Sequence, residues 1–246
     1  MHKSYDIIYS IGRDCATAMY MNKCKMRITS GPFDWLTNAS FETRMNLILT
    51  DFADFLNIDD IKFLPKDPNV LNDDKCDYYE NIRNGFYYYH DFPAGKNLLE
   101  SMPDVTEKYN RRIARFINNM HKKSRILLIW FSQVHNTPND VIVDLCNRVS
   151  AKFGKTIDFM IIEHMENQRS VVRTDLAPNI VKYNVHAKTF DDLGRPTTEG
   201  DTAVITPLFA QFRLRTTLRH KIIMFLIKLI PFHDMRHRIR TSYMNK

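Results

Sequence analysis

Glycine is scarce in this chain, with 7 residues in 246. No GxGxxG turn and no Walker loop occurs, which removes the two commonest glycine-built phosphate cradles. Cysteine is as sparse, and the four (Cys15, Cys24, Cys76, Cys146) form no CxxC pair and no zinc-ligand spacing. No apolar signal segment precedes the first strand, so the expectation is free thiols in a reducing cytoplasm. Apolar runs stay well short of the roughly 20 residues a membrane-crossing helix needs. Internal repeats are missing too. What the chain does have is enough hydrophobic residues, 44% with 12% aromatic, to bury a sizeable core.

The net charge of +7 is unevenly spread. From Arg213 onward nine Lys/Arg face one acid, Asp234, so the body is close to neutral and the basicity belongs to the tail. A basic stripe for nucleic acid is therefore not expected on the body.

Apolar runs at Tyr5–Ser10, Arg125–Phe131, Thr156–His164 and Asn179–Val185 read as buried strands. Between them, Phe41–Leu56, Asp104–Lys122 and Pro138–Phe153 have helical spacing, and Gly85–Pro93 is an aromatic-rich strand. Pro65–Asp77 and Asp191–Asp201 read as loops, and Ala203–Arg213 as helical. Alternating strands and helices predict an α/β, three-layer sandwich with a mostly parallel sheet of SGNH-hydrolase-like or flavodoxin-like type. Residues 1–214 form that domain, and 215–246 a basic amphipathic helical tail.

The stretch Ser10-Ile11-Gly12-Arg13-Asp14-Cys15 follows the first strand and opens a helix. Gly12 allows a sharp turn, and Arg13 is placed to stabilise a thiolate or bind an anionic substrate. A thiol at a helix N-terminus meets unpaired N–H groups and the positive end of the dipole, which lowers its pKa. Cysteine is equally at home as a small buried hydrophobe. Both readings of Cys15 stand on these residues alone.

Four stretches, in order, resemble one bacterial family: Ser10–Cys15, Pro32–Trp35, Tyr89–Phe92 (aromatic-His-Asp-Phe) and Lys108–Arg112 (Lys-Tyr-x-Arg-Arg). The family is known as papain-like cysteine peptidases, a domain of unknown function often associated with surface-polysaccharide biosynthesis. The resemblance spans roughly Tyr5–Phe116. It implies Cys15 as nucleophile and His90 as base, with Asp91 or Asp34 orienting or balancing it. His164 and His186, at strand ends, are reserve bases. His90 also fits a buried structural role, and Asp34 a turn cap. Arg112 is a candidate for binding phosphate or carboxylate. A metal or cofactor is not expected.

In the tail, Ile222–Ile230 is apolar except for Lys228, and Pro231 breaks or kinks the helix at its end. An in-plane interfacial helix fits this better than a span. Lys221, Phe225, Lys228, Arg236, Arg238 and Arg240 are its candidate contacts with an anionic membrane. The expected function is a cytoplasmic enzyme, peripheral on the inner face of the cytoplasmic membrane. It would use Cys15 for acyl transfer or hydrolysis on a glycan or acyl-donor substrate such as a polysaccharide or lipopolysaccharide precursor. Peptide hydrolysis, or a non-catalytic role in glycan assembly, is the alternative.

Overall fold

The structure, a computed structural model, describes residues 3–67, 75–134, 136–216 and 218–244. The chain begins with β1 (Lys3–Tyr5), β2 (Ile7–Ser10) and α1 (Ala16–Lys23). Next come β3 (Leu36–Thr37), α2 (Phe41–Leu49), β4 (Ile61–Phe63), β5 (Cys76–Asn81) and β6 (Tyr87–Pro93). The long α3 (Leu98–Lys122) leads to β7 (Ile126–Ser132), α4 (Asn139–Lys152) and β8 (Asp158–His164). The body finishes with β9 (Val172–Ala177), β10 (Ile180–Val185), α5 (Thr202–Phe209) and β11 (Phe212–Leu214), before α6 (Leu218–Lys228) and α7 (His233–Met244).

The main sheet runs β2-β7-β8-β10-β9. Its first four strands are parallel and β9 is antiparallel to β10. Side chains alternate between two cores, as a strand's period of two requires. Ile7, Tyr9, Leu128, Trp130, Phe159 and Ile161 face α3 and α4. Ile8, Leu127, Ile129, Phe131, Met160 and Ile162 face α1 and α5. Strands apolar on both sides are thus covered on both sides, and the expected mostly parallel α/β sheet is present.

The strand order differs from the flavodoxin-like expectation. The parallel strands cross the sheet in chain order, without the reversal that makes a flavodoxin-type switch point. β1, ahead of the main sheet, pairs in parallel with β11 in a separate two-stranded sheet.

A second, antiparallel sheet, β3-β6-β5-β4, is inserted between β2 and β7 in the chain. Leu36, Ile61, Tyr79, Tyr88 and Phe92 turn inward from it and share one core with α2 and α3. Of its strands only β6 is legible as a strand from sequence.

α2 stops at Leu49, short of the expected Leu56, because Asp51, Phe52 and Asp54 adopt left-handed backbone (φ 52, 61 and 56°). The Phe52 N–H donates to the Leu47 carbonyl at 2.7 Å and closes the helix end. Phe52 and Phe55 stay buried, so their apolar spacing reflects burial along a turn and not one helix. α3 starts at Leu98, before the expected Asp104, since the Asn97 side chain caps it by accepting from Leu99 N–H. The expected helix over Ala203–Arg213 divides into α5 and the short strand β11. Of the expected loop Pro65–Asp77, residues 68–74 lie outside the described residues, and β5 already begins at Cys76.

Among the described residues no helix is long and apolar enough to cross a membrane. α6 leaves Ile222, Phe225 and Leu226 exposed and buries Ile227, and Leu229 just beyond it is exposed. Lys228 and Arg238 are exposed and Arg236 is half-buried, while the side chains of Lys221 and Arg240 lie outside the described residues.

Candidate functional site

The β2–β7 ladder continues past Ser10: Ile11 N–H donates to the Ile129 carbonyl at 2.8 Å, and Arg13 N–H to the Phe131 carbonyl at 3.0 Å. The chain then turns into α1, with the Asp14 carboxylate accepting from Ala16 N–H at 3.0 Å and Met19 N–H bonding the Cys15 carbonyl. Cys15 therefore caps the helix at the carboxyl edge of the parallel sheet. Gly12 is required here by crowding and not by its backbone angle. A Cβ on it would lie 1.8 Å from Thr17 Oγ1.

The electrostatics reverse the expectation of a lowered thiol pKa. Burial, then the negative charges of Asp14 and Glu199, push the Cys15 thiol up to about 12. The helix end does not offset them. Asp14 is itself buried, and desolvation raises its carboxyl above the usual range. Glu199 arrives from the 191–201 loop, which is tied down at two places. Tyr20 OH donates to the Glu199 carbonyl at 2.9 Å, and Gln133 Nε2 donates to the carbonyls of Thr197 (3.1 Å) and Thr198 (2.6 Å).

Beneath the turn lies Arg44, fully buried on α2. Its guanidinium donates to the carbonyls of Arg13 (2.8 Å), Leu36 (3.0 Å) and Ala39 (3.3 Å), and lies over the rings of Phe33, Phe86 and Trp130. Burial depresses its pKa, but a guanidinium does not deprotonate in proteins. This cation clamps the Cys15 turn to the loop carrying Pro32–Trp35. Arg13 itself bonds Asn38 Oδ1 at 3.3 Å.

The other predicted residues gather elsewhere. Trp35, His90, Asp91, Lys108 and Arg112 line one open cavity of about 410 Å³. His90 meets the Trp35 ring edge-on at 6.1 Å. Both Asp91 oxygens have partners on α3: Oδ1 pairs with Lys108, and Oδ2 accepts from Tyr109 OH at 2.9 Å. Asp34 is almost wholly buried and accepts from Arg27 Nε (2.8 Å) and Gly31 N–H (3.0 Å). Two carboxylates expected to serve an imidazole thus hold arginine, lysine and tyrosine in place.

His164 and His186 meet at the carboxyl ends of β8 and β10, with ring centroids 4.9 Å apart. Together with Glu166 they offer three ligand atoms within 4.8 Å of one another. His164 Nδ1, however, accepts from Ala187 N–H at 2.9 Å, so the neutral ring carries its proton on Nε2. That nitrogen stands 3.1 Å from Glu166 Oε1, out of hydrogen-bonding alignment. A protonated nitrogen offers no lone pair to a metal, and Glu166 is already paired with Lys188 at 2.6 Å. The donor set does not fit a metal centre.

The model of the family described as "Putative papain-like cysteine peptidase" matches residues 6–168, about two thirds of the chain. The chain belongs to that family. The match covers the Cys15 turn, the antiparallel sheet, α3 and the Trp35 cavity, and it ends before the 191–201 loop that supplies Glu199. No curated protein and no solved structure matches the chain.

Sequence reasoning passed over Asp14, Glu199 and Arg44. Arg44 carries a signal, since it falls on the same helical stripe as Phe41, Met45 and Ile48. Glu199 carries none, because only the fold brings that loop to α1.

Proposed function

We propose that the chain is a cysteine-dependent enzyme that transfers or hydrolyses an acyl group, with Cys15 as nucleophile. The observation that carries this reading is the position of Cys15. It opens α1 directly beyond β2, at the carboxyl edge of a parallel sheet, in a member of a family named for cysteine peptidases. The resting thiol is protonated, so attack needs a proton acceptor. Asp14 is adjacent, and its raised carboxyl lies nearer the range of a useful general base.

In the proposed step the Sγ proton passes to the Asp14 carboxylate while Sγ bonds the carbonyl carbon. Ala16 N–H is engaged by Asp14, which leaves the first-turn amides of Thr17 and Ala18 for the oxyanion. Collapse expels an alkoxide or amine, which takes the proton back from Asp14. Water then cleaves the thioester, or a second hydroxyl or amine accepts the acyl group. A polysaccharide precursor and a peptide are the two substrates to try first, the former from the resemblance in sequence and the latter from the family's name.

An activated ester incubated with the protein should leave an acyl group on Cys15, found by peptide mass spectrometry. Cys15→Ala should lose both adduct and turnover while its thermal midpoint moves by only a few degrees. Full turnover in Cys15→Ala would remove the nucleophile. The raised thiol pKa favours a second reading, a non-catalytic binding protein in which Cys15 is packing. That reading requires no adduct and a marked loss of stability.

We further infer that the tail rests on an anionic bilayer. Exposed Ile222, Phe225, Leu226 and Leu229 beside exposed Lys228 and Arg238 support this. Phe225→Ser with Leu229→Ser should abolish most sedimentation with anionic vesicles, as each inserted side chain contributes roughly 1.5–3 kcal/mol. Undiminished sedimentation would place the contact elsewhere.

A further inference from the structure

The cavity around Trp35 joins three stretches far apart in sequence, and we propose that it is a binding site for a small anion, phosphate or carboxylate, attached to a ring. This inference does not depend on Cys15 being a nucleophile. Lys108 and Arg112 stand one helical turn apart on α3 and both line the cavity. Their charges are not equivalent. Lys108 is bound to Asp91, whereas Arg112 forms no ion pair among the described residues. Its Nη1 is buried and has no hydrogen-bond partner.

A buried guanidinium N–H without an acceptor costs free energy, about 1–3 kcal/mol for a group of this kind. An anion entering the cavity would remove that cost. Tyr109 fixes the orientation, with its ring 5.6 Å below the Arg112 guanidinium and its hydroxyl on Asp91. A guanidinium so held presents a planar fork to carboxylate or phosphate oxygens.

The Trp35 ring also lines the cavity. Asp34 holds Arg27, whose guanidinium lies 5.7 Å from the Trp35 centroid, and His90 contacts the ring edge. Charged and aromatic groups lining about 410 Å³ match a ring bearing an anionic group rather than a bare ion.

Calorimetric titration of the full chain with phenyl phosphate, benzoate and inorganic phosphate tests this. Phenyl phosphate should bind more tightly than inorganic phosphate, and benzoate ranks the two anion chemistries. Arg112→Ala should weaken phenyl phosphate by about tenfold or more, and Arg112→Lys should recover only part of that loss. Trp35→Ala should bring phenyl phosphate down to the level of inorganic phosphate. Arg111→Ala should change nothing, since Arg111 is exposed and pairs with Glu107 at 3.2 Å. Circular dichroism checks that each variant is folded. Wild-type affinity in folded Arg112→Ala, or no saturable binding of any probe up to ~10 mM by the folded wild-type chain, overturns the site.

Discussion

The Cys15 turn and the Trp35 cavity are built around opposite charges. Burial raises the Cys15 thiol pKa most, and the negative charges of Asp14 and Glu199 add to it, so Cys15 holds its proton. In the cavity Asp91 is already paired with Lys108, behind it Asp34 holds Arg27, and Arg112 is left over. One region therefore resists gaining negative charge while the other invites it. The family motifs are shared between them, with the cysteine motif in the first region and the other three in the second. A single triad drawn from all four motifs would have to span both. Arg44 is the joint, because it bonds the Arg13 carbonyl on one side and the Leu36 carbonyl on the other.

The largest effect should come from breaking that joint. Arg44→Met should take a donor from three carbonyls, of which that of Arg13 keeps Asn38 N–H at 3.1 Å, at about 1–3 kcal/mol for each one left unsatisfied before relaxation. A loss of at least about 3 kcal/mol in urea unfolding is expected, with both Cys15 protection and anion binding degraded in whatever remains folded. Stability within about 1 kcal/mol of wild type would mean that the turn and the cavity stand independently.

A smaller effect should come from Asp14→Asn. The amide oxygen can still accept from Ala16 N–H, but the charge that raises the thiol pKa is gone. The sign is fixed: a lower thiol pKa gives more thiolate at a given pH. Iodoacetamide should modify Cys15 roughly three- to tenfold faster at about pH 8 in this variant. Turnover should fall in the same variant if Asp14 is the proton acceptor. In wild type the alkylation rate should keep rising well into the alkaline range, since burial and the two carboxylates push the thiol up to about 12. A plateau near neutral pH would show that neither burial nor the carboxylates hold the proton on Cys15.

The smallest effect sharpens the comparison most. Saturating phenyl phosphate should change the Cys15 alkylation rate by less than about twofold, because Cys15 does not line the cavity and solvent screens a charge bound there. A large change, in either direction, would make the turn and the cavity one site.

Strands apolar on both faces, β7 and β8, are legible from sequence because a parallel sheet buried between helices needs them that way. Cys15 at the start of a helix beyond the first strand is legible too, through Gly12 and the change of periodicity. So is the gathering of tail charge, which is a matter of composition. The antiparallel sheet is not, because β3 has two residues, β4 has three, and their partners are long-range. Nor is the end of α2, where left-handed backbone at Asp51, Phe52 and Asp54 interrupts a good apolar period.

Local patterning and residue count were enough for the two-faced parallel sheet, the Cys15 turn and the near-neutral body, and the motifs around Trp35 and His90 came from the resemblance to a family. The state of the thiol and the company of His90 came from the folded chain alone. A pKa and an ion pair depend on which groups share a small volume. Glu199 reaches α1 through the Tyr20 and Gln133 hydrogen bonds, and Lys108 and Tyr109 reach Asp91 from another element. Neither contact is written in local spacing, because the energy that fixes it is spread across the whole core.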